Sequence, residues 1–368
     1  MKYLFILGRN PELSVQEVRC FFETRGIEIV SEILQDNALL VDFRMFGGSG
    51  EIDANVVDKL GGVISIGEVL GEFHSAEDLD KVNIYKKEKN NFSYVVWNFS
   101  GHKDEVGDYL KGRFKSEKLK ASEKRMRENM VLQDGDKVST VSSNVEEEYF
   151  VFNHFFGRII RHCDYNEIEK RDMEKPVRRE SLSISPRLAK IMINLSKVKG
   201  GDYLVDAFCG VGVVLQEALL QKIKVIGIDT DRKAIDGARE NMKWFNFPRG
   251  EYMLMKGDSS RIEIERVKGM ASEPDFGETL KKIPTKEKAE EMIARYEKIM
   301  VSVLNNMKKY VSGRFVFTSP YIRIGKKRIG ADFKELGYKT GLNLVEGFPI
   351  PEFRENQIIG REVVVFEK

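Results

Sequence analysis

The sequence predicts an α/β protein in two parts, an N-terminal α+β region and a C-terminal doubly wound half. Three observations carry this. From Ser185 onward, apolar strand-like runs alternate with helical stretches, the order that builds a mostly parallel sheet with helices on both faces. An apolar run, Leu204-Val205, ends in Asp206 and a glycine turn, Gly210-Val211-Gly212, that opens a helix. The first sixty or so residues read strand, helix, strand, strand, helix, a ferredoxin-like order. At roughly 150 residues per domain, 368 residues imply two domains or three small ones. The expected division is 1–70, 71–165 and 166–368.

Each element has its own signal. Tyr3 to Leu7 is a short buried strand, and Ser14 with Glu17 three residues on forms a capping box for a helix running to Gly26. Ile27–Leu34 and Ala38–Phe43 are strands around a Gln35-Asp36-Asn37 turn, and a helical stretch near Val56–Leu60 stops at Gly61-Gly62. Tyr94–Phe99 is a strand, followed by a helix from about Lys103. Val138–Val141 and Tyr149–Phe155 are two more strands. Residues 170–179 are polar and basic with one proline, and read as an exposed linker. Ser185-Pro186 starts a helix with Leu188, Ile191, Met192 and Leu195 on one face. Tyr203–Val205, Val225–Ile228, Lys268–Ser272, Arg314–Phe317 and Val363–Phe366 are the sheet strands. Val213–Leu220, Arg232–Trp244 and Lys286–Lys308 are the helices between.

Composition excludes several classes. Hydrophobic residues are 42% of the chain, enough for a core, so a disordered chain is excluded. Cys20, Cys163 and Cys209 are odd in number and far apart, which argues against a disulfide framework and points to the cytoplasm. No histidine or cysteine spacing suggests a metal site, no apolar run is long enough for a membrane helix, and the start lacks signal-peptide features. The net charge is +2, so partners must be sought in the distribution of charge. One tract is strongly basic: Lys111, Arg113, Lys115, Lys118, Lys120, Lys124, Arg125 and Arg127 stand against Glu117 and Glu123. It reads either as a solvated face or as a patch that contacts the phosphates of a nucleic acid.

The segment Leu204-Val205-Asp206-Ala207-Phe208-Cys209-Gly210-Val211-Gly212 is the most informative. Gly210 and Gly212 permit close approach of a ligand to the backbone. Asp229 ends the next strand, nineteen residues past Gly210, where an acid reaches a ribose hydroxyl pair. A dinucleotide fingerprint would place a third glycine at Leu215 and would not carry Asp206, which repels a pyrophosphate. An acid there suits a cationic ligand such as S-adenosylmethionine.

Asp206-Ala-Phe-Cys-Gly-Val-Gly resembles the first motif of S-adenosylmethionine-dependent methyltransferases, usually D-P-F-C-G-x-G, and Gly227-Ile228-Asp229 fits the same class. The segments 170–176 and 186–195, Asn241-Met242-Lys243-Trp244 and the opening Tyr3–Ser14 resemble a narrower family, the archaeal and eukaryotic tRNA guanine-N2 methyltransferases acting on the guanosine at position ten. The resemblance implies a Rossmann-like C-terminal domain and an N-terminal THUMP region that grips tRNA, where the basic tract falls. It also implies that Asp206, Phe208, Gly210, Gly212, Asp229, Asp258 and Pro186 line the cofactor site. Some members of the family need a small zinc-binding activator subunit.

The family carries D-P-P-Y or N-P-P-Y after the fourth strand. An exocyclic amine is a poor nucleophile because its lone pair is conjugated with the ring. A side-chain oxygen and a backbone carbonyl accept its N–H bonds and turn the lone pair toward the methyl donor, while the aromatic ring stacks on the base. The matching stretch here is Glu273-Pro274-Asp275-Phe276, with Glu in the acidic place and Asp275 for the second proline. Altered or lost catalysis, or an amine on another nucleic acid, are the alternatives this departure leaves open. Thr318-Ser319-Pro320-Tyr321 competes, but follows a late strand.

Overall fold

The computed structural model describes the chain except residues 45–50, 86–88, 100–102, 125–126, 132–136, 141–143, 180–183, 278–279 and 355. It divides into two compact units, one of Met1–Val15 with Gly26–Tyr165, the other of Gln16–Arg25 with Asn166–Lys368.

The first unit begins with β1 (Lys2–Leu7), followed by α1 (Pro11–Thr24), which straddles both units, then β2 (Glu28–Gln35), β3 (Ala38–Arg44) and β4 (Val63–Glu72). The chain continues through β5 (Asn91–Asn98), α2 (Lys103–Ser116), β6 (Lys120–Glu123), β7 (Arg127–Val131), β8 (Lys137–Thr140), β9 (Glu147–Phe152) and β10 (Phe155–His162). One sheet runs β2-β3-β1-β4-β10-β9-β5-β6, with β7-β8 a separate pair. Its first four strands have the ferredoxin-like arrangement, β1 lying antiparallel between β3 and β4. The expected boundary at residue 70 falls inside β4, which pairs onward with β10, so residues on both sides of it share this sheet.

Several local expectations change. The capping box at Ser14 is not the start of α1. The Asn10 side chain accepts from Leu13 N (3.2 Å), Pro11 takes the first helical position, and the Ser14 hydroxyl donates to Asn10 O (2.8 Å). Proline without an N–H fits where helix donors have no partner. The helical stretch near Val56 is one 3₁₀ turn, Ala54–Lys59, capped by Asp53. The basic tract is not one helix face: α2 ends at Ser116, Lys118 takes φ +59°, and the chain enters β6. β6 pairs only with β5, so it is a sheet edge, and lysines on an edge discourage further strand pairing.

The second unit holds α3 (Tyr165–Met173, entering from the first unit), α4 (Pro186–Leu195), β11 (Tyr203–Asp206), α5 (Val213–Leu220), β12 (Lys224–Asp229), α6 (Arg232–Trp244), β13 (Tyr252–Lys256) and β14 (Gly269–Ser272). After these come α7 (Lys286–Met307), β15 (Phe315–Ile324), β16 (Lys327–Ile329), α8 (Phe333–Thr340), β17 (Asn343–Leu344), β18 (Ile350–Glu352) and β19 (Ile359–Glu367). The sheet order is β13-β12-β11-β14-β15-β19-β17. From β13 to β15 all pairs are parallel, and β19 returns antiparallel to β15. The order reverses between β11 and β14, so their C-terminal ends frame a switch point, where open α/β sheets bind ligands. Val205, Met270, Phe315, Phe317, Val364 and Phe366 from the sheet pack with Met300, Leu304 and Met307 of α7 in one buried cluster.

The linker expected at 170–179 is largely structured. Residues up to Met173 are helical in α3, and Arg171 is buried, its Nε and Nη2 donating to the two carboxylate oxygens of Glu217 at 2.9 Å each. Lys175 is also buried and donates to Asp172 at 2.6 Å. A planar guanidinium that meets both oxygens of a carboxylate satisfies two charges inside a core, which polarity read along the sequence does not reveal.

Candidate active site

The ends of β11, β12 and β14 carry three acids. Asp206 closes β11, and its carboxylate accepts from Phe208 N at 3.1 Å. Burial pushes its pKa up to about 7; hydrogen bonds from Phe208 and Ser272 oppose that, and the charges of Asp229 and Glu273 reinforce it. Asp229 closes β12 and takes backbone donors on both oxygens, Gly210 N at 2.9 Å and Asp231 N at 2.8 Å. One acid thereby fixes the glycine turn and the entry to α6.

The turn itself demands glycine at one position above others. Gly212 has φ +90°, and a Cβ there would stand 2.9 Å from the Met242 methyl. At Gly210 (φ +51°) a Cβ would meet open space, so there the requirement is access to the backbone. Asn241 clamps the back of the loop. Its amide nitrogen donates to Val177 O and Val211 O, and its oxygen accepts from Val177 N, each at 3.0 Å. Phe208 packs against the buried cluster beneath the sheet. Pro186 is buried at the first position of α4, whose cap Ser185 accepts from Leu188 N at 3.2 Å.

The loop after β13 is tied to this centre. The Ser259 hydroxyl donates to Ala207 O at 2.6 Å, and Asn306 of α7 donates to Ser259 O and Ile262 O at 3.1 and 2.7 Å. Asp258 is exposed and caps its own turn, accepting from Ser260 N at 2.9 Å and Ser260 Oγ at 2.7 Å. The hydroxyl bond leads in holding its pKa below the usual carboxylate value.

Glu273 follows β14 directly. β14 is joined to β11 by parallel pairing and by Ala207 N donating to Ser272 Oγ at 2.8 Å. The Glu273 carboxylate is largely buried and receives the Arg361 guanidinium Nε on Oε1. Burial pushes its pKa up; Arg361 pulls against that shift by charge and by hydrogen bond. Pro274 is buried, while Asp275 is exposed and accepts from Gly277 N at 2.8 Å, closing a small turn in place of the second proline. Phe276 sits edge-on to Tyr296, ring centroids 6.2 Å apart, and the Tyr296 hydroxyl donates to Thr318 O at 2.8 Å. Thr318-Ser319-Pro320-Tyr321, the competing motif, lies within β15 and is paired along its length with β19, with Thr318 and Ser319 buried.

The basic residues belong to the first unit. Lys111 pairs with Glu123 at 3.1 Å and Asp108 at 3.5 Å, and Arg113 with Glu117 at 2.8 Å. Lys115, Lys118, Lys120 and Lys124 are exposed. Arg125 and the side chain of Arg127 lie outside the described residues. Sequence reasoning misses Arg361 and Ser272. Arg361 stands 88 residues from Glu273 on the last strand, and no local pattern links them.

A sheet of this order, a glycine turn after β11 and an acid-proline-aromatic loop after β14 define a Rossmann-like methyltransferase domain. A family model described as RMKL-like, methyltransferase domain, matches residues 176–319. An N6/N4 model described as DNA methylase matches residues 25–240, more than half of the chain, and the chain belongs to that family. It is 36% identical over 96 residues to the tRNA (guanine(10)-N2)-dimethyltransferase of Methanothermobacter thermautotrophicus, covering 26% of this chain and 28% of that protein. It is 33% identical over 142 residues to the protein of that name from Methanocaldococcus jannaschii, 37% of each chain. To that of Pyrococcus abyssi it is 25% identical over 288 residues, 75% of this chain and 78% of the relative. The matches to the first two span well under half of either relative. Thermus thermophilus TrmN aligns over 100% of both chains at 15% identity with a TM-score of 0.48. The resemblance read from the motifs agrees with the names of these relatives. No helix among the described residues is long and apolar enough to cross a membrane.

Proposed function

We propose that this chain transfers a methyl group from S-adenosylmethionine to the exocyclic N2 amine of a guanosine in tRNA. The observation that carries the reading is the pair of neighbouring strand ends: Asp206 with the glycine turn after β11, and Glu273-Pro274-Asp275-Phe276 after β14. The residues fit a cationic cofactor. Asp206, Asp229 and Glu273 raise one another's negative potential, which a sulfonium and an ammonium relieve. Asp206, Phe208, Gly210, Gly212, Asp229 and Asp258, with Pro186 behind them, would hold the cofactor, which supplies an electrophilic methyl group when bound.

The chain's own part is to hold the acceptor. Glu273 accepts an N–H of the amine, Pro274 fixes the backbone carbonyl beside it, and Phe276 stacks on the base. The first unit acts as a THUMP-like grip on tRNA through the exposed lysines around β6. Acting on tRNA, the enzyme works in the cytoplasm, with a small zinc-binding activator subunit as a candidate partner. A second reading, a tRNA-binding paralogue with altered catalysis, is favoured by one observation: Asp275 supplies a capping turn where the family has a rigid proline.

Labelled S-adenosylmethionine and bulk tRNA, followed by nucleoside analysis, decide between them. N2-methylated guanosine is the expected product. Label in another nucleoside redirects the reading to a different amine, and tRNA binding without transfer supports the paralogue.

A further inference from the structure

We infer that Arg361 is the positioning residue of the acceptor loop: it holds Glu273 by one carboxylate oxygen and leaves the other for the substrate amine. This rests on the reading of Glu273 as the acceptor of the amine N–H. Arg361 lies on β19 opposite Pro320 of β15, and its Nε donates to Glu273 Oε1. Oε2 accepts no hydrogen bond from the described residues. The contact is therefore one-sided, unlike the two-oxygen fork at Arg171 and Glu217.

Two physical needs converge on this contact. A glutamate has one more rotatable bond than the aspartate of related loops, so its oxygens need an anchor to present one geometry. It is also largely buried, and burial favours the neutral form of a carboxyl. Among the described residues the charged groups that act on Glu273 and its neighbourhood are Arg361 from β19, Asp206 from β11 and, beyond Asp206, Asp229 from β12. Arg361 is the one cation in that set. A protonated Glu273 would place a hydrogen on an oxygen needed as an acceptor. Arg361 keeps it a carboxylate and decides which oxygen is free.

The test pairs titration with transfer. In ¹³C-glutamate-labelled full-length protein, the Glu273 carboxyl is assigned by its loss in Glu273→Gln and followed by infrared spectroscopy across pH. Arg361→Met and Arg361→Gln are each expected to raise its midpoint by about one pH unit or more, and Arg361→Lys to restore most of the shift. Two neutral variants guard against one failing to fold, with cofactor affinity by calorimetry as the check on the site. In methyl transfer, the acid limb of the rate profile should move up in step, with roughly a ten- to hundredfold loss at pH 7. Combined with Glu273→Gln, Arg361→Met should cost little more than Glu273→Gln alone. A midpoint and pH profile unmoved in every neutral variant overturn the inference, leaving Arg361 as a strand contact. If the wild type methylates no tRNA while the titration shifts as expected, the proposed function fails and the anchoring of Glu273 stands.

Discussion

Asp206 is a buried carboxyl with its pKa lifted to about 7, well above the roughly 3.9 of a free aspartate. Between those values the folded chain binds more protons than the unfolded one, so this group makes stability fall as pH rises from about 4 to 7. Asp206→Asn should remove that slope and leave the variant more stable than wild type at pH 8, by about 2–4 kcal/mol before other losses. Urea unfolding at pH 5 and pH 8 reads the difference directly. A cation binds the ionised form, so S-adenosylmethionine should bind more tightly as pH rises through 7, and release a proton near pH 6. Calorimetry in buffers of different ionisation heat detects that proton; equal heats in all buffers, or the same pH dependence in Asp206→Asn, would separate Asp206 from the cofactor.

At the scale of elements, α3 is held to α5 by the buried Arg171–Glu217 fork. Removing one member of such a pair leaves an uncompensated charge in the core, at a cost of roughly 3–5 kcal/mol. Arg171→Met should therefore lower the thermal midpoint by about 10 °C. Arg171→Met combined with Glu217→Leu should recover much of it, because two apolar groups leave no orphan charge. A single variant as stable as wild type would mean that water reaches Glu217 and solvates it. This fork also explains why the stretch before Pro176 reads as a linker in sequence: its polar residues are paired inward across 46 positions of chain, and a polar side chain read alone does not disclose a buried partner.

At the scale of the whole molecule, a net charge of +2 gives little general attraction to a polyanion, so any grip on tRNA must be local. Lys111 and Arg113 already pair with carboxylates, which leaves Lys115, Lys118, Lys120 and Lys124 as the exposed charges. Changing the first three of these to Gln should reduce the slope of log affinity against log salt by roughly 0.7–0.9 for each phosphate that is no longer neutralised. Filter binding of tRNA over a salt series measures it, and an unchanged slope would mark the tract as a solvated face.

The class of fold and the composition of the site are legible in the amino-acid order. Strand periodicity, the Asp206 to Gly212 turn, Asp229 at the next strand end and Ser185 as a helix cap are local signals, written within a few residues of where they act, and the structure follows them. The order of elements is also enough to prefer Glu273 over the Ser319-Pro320-Tyr321 segment, which lies paired within β15. The electrostatics are set by packing across the fold. Which acids are buried, and therefore lifted in pKa, depends on what packs over them, and the partner of Glu273 arrives from the last strand of the sheet. Sequence gives charge at a position; the dielectric around it and the counter-charge beside it exist only once distant segments have met.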